Sequence, residues 1–222
     1  MKAHLECLPD GAREALKRLK PVAASNGFVL AGGTGLALRL GHRVSNDLDF
    51  FTARDFSTAK VFEEIKGLGL SGRVIQEEEG TLTVLAGDTK VSMFRYRYGF
   101  LEETETVDGV PVAGVVDIAS MKVIAISRQG AKRDFVDLYF ILRDAPFWRI
   151  AENMVRRFGA DRVAPMHIGK ALVFFDDAEA DPEPLYLSTS KPDWKRIKKF
   201  FKDHVRQMVM DLQKAKEAID PQ

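Results

Sequence analysis

The 222-residue sequence predicts an α+β protein with a mixed α/β head over residues 1–115 and a helical C-terminal region over residues 116–222. Three observations lead there. A strand–glycine–helix–strand unit lies near the start, glycine-punctuated runs of β-favouring residues fill the middle, and helical spacing dominates the end. Strands followed by helices, in that order, suit a sheet with helices segregated from it. The length is enough to bury a full core in one large domain, or in one domain with a helical appendage.

Residues 11–25 put Ala15, Leu16, Leu19, Val22 and Ala23 at helical spacing, with Gly27 as the stop. Residues 28–31 are a short apolar run ending in glycine and read as a buried strand. Residues 34–40 follow as a short helix, with Thr34 as its N-cap and Gly41 just past its end. Residues 46–52 return as a strand, and residues 57–66 form a helix with Val61, Phe62 and Ile65 on its apolar side. Residues 74–75, 81–85 and 91–98 read as a meander, turning at Gly80 and at Gly87-Asp88. A loop is expected around Asp108-Gly109. Residues 117–143 are strongly helical with a break at Gly130, and helical patterns recur over 148–158, 161–174 and 192–218. Between the last two lies DDAEADPEPL, which carries no strand or helix signal.

Composition narrows the function classes. The chain is 45% hydrophobic and 29% charged, ordinary for a globular protein, and its net charge of +1 argues against a generally basic nucleic-acid binder. Cys7 is the single cysteine, so no internal disulfide forms, and a reducing cytoplasm is the expected location. The N-terminal stretch does not read as a signal peptide, and no apolar run approaches the roughly 20 residues that span a bilayer.

The stretch FVLAGGTGLALRLGHRVSNDLDFFT, residues 28–52, carries the first candidate site. Glycines at a strand end that leads straight into a helix let backbone N–H groups approach a phosphate, and the helix dipole favours its charge. Gly32, Gly33 and Thr34 stand there. Asp47 and Asp49 project from one strand face roughly 6.5 Å apart, while Leu48 and Phe50 point into the core. Two carboxylates that close need a cation between them, and oxygen-only ligands suit Mg²⁺. A glycine turn and a lone solvated DxD are the bland alternatives; their succession favours a phosphate and metal site. A P-loop is excluded because no lysine follows the glycines, and a dinucleotide fingerprint fails at Leu38, where its third glycine belongs.

A second cluster lies in DIASMKVIAISRQGAKRDFVDLYF. On one straight helix Lys122 and Asp137 would be about 22 Å apart. A turn at Gly130 makes them neighbours across a helical hairpin. There Lys122 is suited to hold a triphosphate and Asp137 to act as base or to orient the lysine. A purely structural ion pair is the alternative.

With both clusters in view, the sequence resembles the AbiEii/AbiGii toxin family of nucleotidyltransferases, in the polymerase-beta-like superfamily. The motifs that carry the resemblance are LAGGTGLALRLGHRVSNDLDFF and DIASMKVIAISRQGAKRDFVDLYFIL, within residues 20–145. It implies a mixed sheet flanked by helices, with the helical C-terminal region completing the active site. Gly32, Gly33 and Thr34 become the phosphate loop, with Arg43, Ser45 and Lys132 as further nucleotide-binding residues. Asp47 and Asp49 become Mg²⁺ ligands, and Lys122, Asp134 and Asp137 match the later catalytic motifs. The implied reaction is nucleotide transfer from an NTP to RNA, such as tRNA, or to a protein, with an antitoxin as partner. Ser92 in KVSMFRY departs from the superfamily, where a third strand carboxylate is common. A catalytically idle binding or regulatory partner is therefore the alternative, and phosphotransfer without nucleotidyl transfer a third.

His42 reads as structural. Residues 191–216 carry nine Lys/Arg against three Asp, with Trp194, Ile197, Phe201, Val205, Met208 and Leu212 recurring at three- and four-residue steps. A packed helix with a solvated basic face is the plain reading; an RNA surface or an acidic antitoxin is the functional one.

Overall fold

The computed structural model describes residues 3–70, 72–187 and 191–219. The chain divides into two compact units, Met1–Gly114 and Val115–Gln222.

The first unit is built on a seven-stranded mixed sheet of order β3-β4-β5-β2-β1-β7-β6. α1 (Asp10–Asn26) ends at Gly27, which takes the left-handed conformation at φ 65° that favours glycine. β1 (Val29–Leu30) leads into α2 (Gly32–Leu40), and β2 (Leu48–Thr52) runs antiparallel to β1. α3 (Thr58–Gly67) is capped by Ser57, whose hydroxyl accepts from Lys60 N–H. β3 (Gly72–Glu78), β4 (Thr81–Ala86) and β5 (Thr89–Arg95) form the expected meander, and β5 then lies parallel to β2. Asp108-Gly109, expected as a loop, is the tight turn of a hairpin between β6 (Glu105–Val107) and β7 (Val110–Val112). Each strand is three residues long, too short to show alternation.

The core lies on one face of this sheet. Leu16, Leu19, Phe28, Leu30, Leu48, Phe50, Val61, Ile65 and Val84 are all fully buried in it. Alternation on β2 separates this core from the opposite face, where Asp49 and Phe51 are half-buried. Arg39 is buried too. Its guanidinium donates to the carbonyls of Val112 and Ala113 and pairs with Glu105 at 2.8 Å, tying α2 to the β6–β7 hairpin.

The second unit is helical: α4 (Val115–Gln129), α5 (Lys132–Ile141), α6 (Phe147–Phe158), α7 (Pro165–Ala171), α8 (Asp176–Glu179) and α9 (Trp194–Ile219). The break at Gly130 separates α4 from α5 as expected. α8 was not legible, because the partners that hold it are distant in sequence: the Glu179 carboxylate accepts from Trp194 Nε1 at 3.1 Å and from Lys198. Ile197, Phe201, Met208 and Leu212 of α9 are buried, with Phe201 and Trp194 packed edge-on against Phe135 and Phe175 tilted against it. Lys195, Arg196, Lys199, Lys202 and Arg206 are exposed. No helix among the described residues is long and apolar enough to cross a membrane.

Burial pushes the Cys7 thiol up to about 12, with Glu6 adding to the effect. The raised value keeps the nucleophilic thiolate scarce at neutral pH. Native protein at pH 8 is therefore expected to resist a thiol-titrating disulfide reagent, and one equivalent should react once guanidinium unfolds the chain. Rapid labelling of the native protein would contradict the burial.

Candidate functional site

The site in the first unit starts from the turn between β1 and α2. Gly32 takes φ +62°, and a β-carbon there would lie 2.9 Å from Asp49 Oδ2. At Gly33 a β-carbon would run into the Arg43 guanidinium and come within 3.6 Å of Ser45 Oγ. Two bare α-carbons thus let a carboxylate, a guanidinium and a hydroxyl converge on the first turn of a helix. The N–H groups of that turn have no intrahelical acceptor, and they sit at the positive end of the helix dipole.

Thr34 is not the N-cap. The helix begins two residues earlier, at Gly32, with Ala31 at the cap position. The Thr34 side chain, 1% exposed, instead donates to the Asp47 carbonyl and lies 2.7 Å from Ser45 Oγ. It fixes the loop that carries Arg43 and Ser45 against the start of β2. The Arg43 guanidinium also donates to the Val44 carbonyl at 3.0 Å.

Asp47 immediately precedes β2 and Asp49 lies within it. Ala31 N–H donates to the Asp49 carbonyl at 3.0 Å, which holds the carboxylate strand beside the glycine turn. The Asp47 carboxylate pairs with Lys90 Nζ at 3.2 Å, both side chains being about a third or more exposed. The parallel register sets Ser92 directly beside Asp49. Lys90 escaped the reading of the sequence. Its signal was its i, i+2 relation to Ser92 on one strand face, which acquires meaning only once β5 is known to pair with β2.

In the second unit, the helical hairpin places Lys122 Nζ 2.8 Å from Asp134 Oδ1 and 2.7 Å from Asp137 Oδ2. Asp137 is fully buried, and the Lys122 side chain is 9% exposed. Asp134 also accepts from Ala131 N–H at the start of α5. Lys132 is directed elsewhere: its ammonium donates to the Asp181 carbonyl at 2.6 Å and faces Glu183 at 3.6 Å. The chain therefore gathers Lys122, Asp134 and Asp137 in one cluster, with Lys132 outside it. A third buried group, Asp117, accepts from Asn153 Nδ2 at 2.8 Å, and its carbonyl accepts from Arg157 Nη1, also at 2.8 Å.

Among the described residues no three His, Cys, Asp or Glu side chains are grouped as a metal cage.

Comparison with known proteins bears on this arrangement. A family model described as "Nucleotidyl transferase AbiEii toxin, Type IV TA system" matches residues 14–105 and 93–219. An uncharacterized protein of Aquifex aeolicus, aq_aa25, is 37% identical over 201 residues, covering 88% of this chain and 94% of its own. Among solved structures, MenT4, the nucleotidyltransferase toxin Rv2826c of Mycobacterium tuberculosis, superposes with a TM-score of 0.56 at 19% identity, covering 95% of each chain. JHP933 of Helicobacter pylori gives 0.55 at 16% identity, covering 94% of this chain and 95% of its own. At these identities the structures speak for the fold.

Replacing Lys122 with methionine removes the ammonium that two carboxylates share, one of them fully buried. Breaking a buried pair of this kind costs about 3–5 kcal/mol. The expected readout is a lowered urea midpoint in the fluorescence of Trp148 and Trp194, the two tryptophans, both in the second unit. An unchanged midpoint would show that the cluster does not hold α4 to α5.

Proposed function

Because this chain belongs to the AbiEii family of nucleotidyl transferase toxins, and is a nucleotidyltransferase, we propose that it moves a nucleotide from an NTP to an acceptor hydroxyl on RNA, with Mg²⁺ held by Asp47 and Asp49. The observation that carries this reading is the contact of Gly32 and Gly33 with Asp49 and Arg43, which sets an anion cradle against a carboxylate pair.

The residues fit such a cation. Mg²⁺ is usually held by one or two carboxylates, with waters and substrate phosphates completing its shell. Asp47 and Asp49 supply the carboxylates, and the Ser92 hydroxyl stands beside Asp49 in register. When bound, the ion neutralises phosphate charge and stabilises the charge that develops on the leaving oxygen.

The other residues bind and orient. The N–H groups at the start of α2 and the Arg43 guanidinium hold the terminal phosphates of the NTP, with the Ser45 hydroxyl as a further donor. This fixes the α-phosphorus over Asp49. The acceptor oxygen then attacks in line. A new P–O bond forms, the bond to the bridging oxygen breaks, pyrophosphate leaves and the hydroxyl proton passes to water. Holding both reactants in line supplies much of the rate enhancement.

Lys122, Asp134, Asp137 and Lys132 take a narrower part in this proposal. Their charges are engaged with each other and with the segment around Asp181. Their proposed role is to keep α4, α5 and that segment in place. Family membership in a type IV toxin–antitoxin system implies an antitoxin partner. Ser92 in place of a third strand carboxylate favours one second reading, a catalytically idle binding partner.

Asp47→Asn combined with Asp49→Asn keeps side-chain size and removes both charges. The double variant is expected to lose label transfer from radioactive NTP to total RNA by at least about a hundredfold, the scale of removing a transition-state charge stabiliser. Its circular dichroism should match the wild type. Undiminished transfer would end the two-carboxylate mechanism, and no transfer by the wild type with any NTP would select the idle reading.

A further inference from the structure

A cavity opens on the same sheet face as Asp49, at the other end of β2. It measures about 410 Å³ and is lined by Phe51, Arg54, Tyr96, Tyr98 and Phe100, among others. That volume lies within the range of about 300–1,000 Å³ usual for small-ligand sites. Its walls are aromatic for a structural reason. Phe51 stacks on its register partner Phe94 with ring centroids 5.3 Å apart, and Tyr96 meets Phe51 edge-on at 5.5 Å. Tyr98 meets Tyr96 edge-on at 5.3 Å, and Phe100 meets Phe51 at 6.5 Å. The pairing of β5 with β2 extends one step further, through Tyr96 N–H to the Thr52 carbonyl at 2.7 Å, and this holds the tyrosines over the strand end.

One cationic side chain, Arg54, and one carboxylate, Glu102, lie in its wall. Arg54 lines the cavity, and its guanidinium carbon lies 3.0 Å from where a β-carbon on Gly27 would be, so the glycine makes room for it. Aromatic rings beside a guanidinium are the chemistry that receives a base and its phosphate: every base has a π-face, and the backbone is anionic. An aliphatic peptide segment would use the rings but not the cation.

The order of groups along β2 identifies which base. Thr34 bonds the Asp47 carbonyl and Ser45, so the glycine turn, Arg43 and Ser45 gather at the Asp47 end. Asp49 follows, and the aromatic cavity begins at Phe51, the next residue on that face. In an in-line displacement the attacking and leaving oxygens lie on opposite sides of the phosphorus. With pyrophosphate leaving toward Arg43, the attacking hydroxyl arrives from the Phe51 side. We propose that this cavity is the acceptor subsite, and that it takes the terminal unpaired base of a single-stranded RNA, stacked against Tyr96 and Tyr98 with Arg54 on the adjoining phosphate. This inference rests on the nucleotidyl-transfer reading and assigns the acceptor's place within it.

The test is fluorescence anisotropy on the whole chain with two short 5′-labelled RNAs, one ending in adenosine and one whose terminal residue lacks its base. Wild-type protein should bind the intact RNA about tenfold more tightly, since base–aromatic stacking is sequence-tolerant. Tyr98→Ala should abolish that difference and Tyr98→Phe should keep it. Equal binding of the two RNAs by the wild type overturns the proposal. So does a Tyr98→Ala variant that loses affinity for labelled ATP while still discriminating the RNAs, because the cavity would then belong to the incoming nucleotide. The two readings separate cleanly. A wild type that discriminates the RNAs but releases no pyrophosphate sinks the catalytic reading alone, and one that transfers nucleotide without discriminating sinks the acceptor subsite alone.

Discussion

A β-carbon at Gly32 would lie 2.9 Å from Asp49 Oδ2, and one at Gly33 would overlap the Arg43 guanidinium. These exclusions govern the geometry of the first unit. Side chains of opposite charge approach one helix start only because two consecutive residues have none of their own. The left-handed φ of Gly32 turns the chain from strand to helix within two residues, which keeps the helix N-terminus level with the strand that carries Asp49. Any larger residue would separate the carboxylate from the peptide N–H groups by displacing one or the other. The cradle and the carboxylates are thus one constraint rather than two features.

That constraint propagates through Thr34. Its hydroxyl is buried and bonded to the Asp47 carbonyl, with Ser45 alongside, so the loop that follows α2 returns to the turn that precedes it. Arg39 does the corresponding work at the far side of α2, where its guanidinium meets the carbonyls that end β7 and the Glu105 carboxylate. A helix of nine residues is held at both ends by polar contacts to the sheet. Isolated helices that short are marginal in water, so these contacts and the buried Leu36 and Leu38 are what make it a fixed platform.

Local chemistry made much of this legible in advance. Glycine stops at Gly27 and Gly41, the alternation across Leu48 and Phe50, the meander turns and the break at Gly130 are each fixed by a few neighbouring residues. The spacing of Lys122 and Asp137 about Gly130 was readable for the same reason: eight residues before a turn meet seven after it. The signal failed where long-range contacts decide. Lys90 meets Asp47 only because β5 pairs parallel to β2, and the one-turn helix at Asp176 depends on Trp194 and Lys198. Thr34 looked like a cap because its type suits one, but Gly32 starts the helix without needing a side-chain acceptor. The aromatic cavity was scattered over residues 51–100 and had no local pattern to find.

The two clusters of carboxylates answer the same electrostatic problem in opposite ways. In the second unit Asp134 and Asp137 share one ammonium at 2.8 and 2.7 Å, with all three groups largely or fully buried. Coulomb attraction is strong there and removal of the cation is expensive, so the cluster is permanent. In the first unit the partner of Asp47 is Lys90, with side chains 33% and 41% exposed. An exposed pair of this kind contributes about 0–1 kcal/mol and is screened by salt, so on the proposed mechanism a divalent ion with twice the charge would displace the lysine at little cost. A released Lys90 would stay within reach of the site on its flexible stem, available to a phosphate oxygen once its carboxylate is occupied. On the proposed mechanism, the Asp47 carboxylate, weakly neutralised by Lys90, is the one suited to exchange its cation.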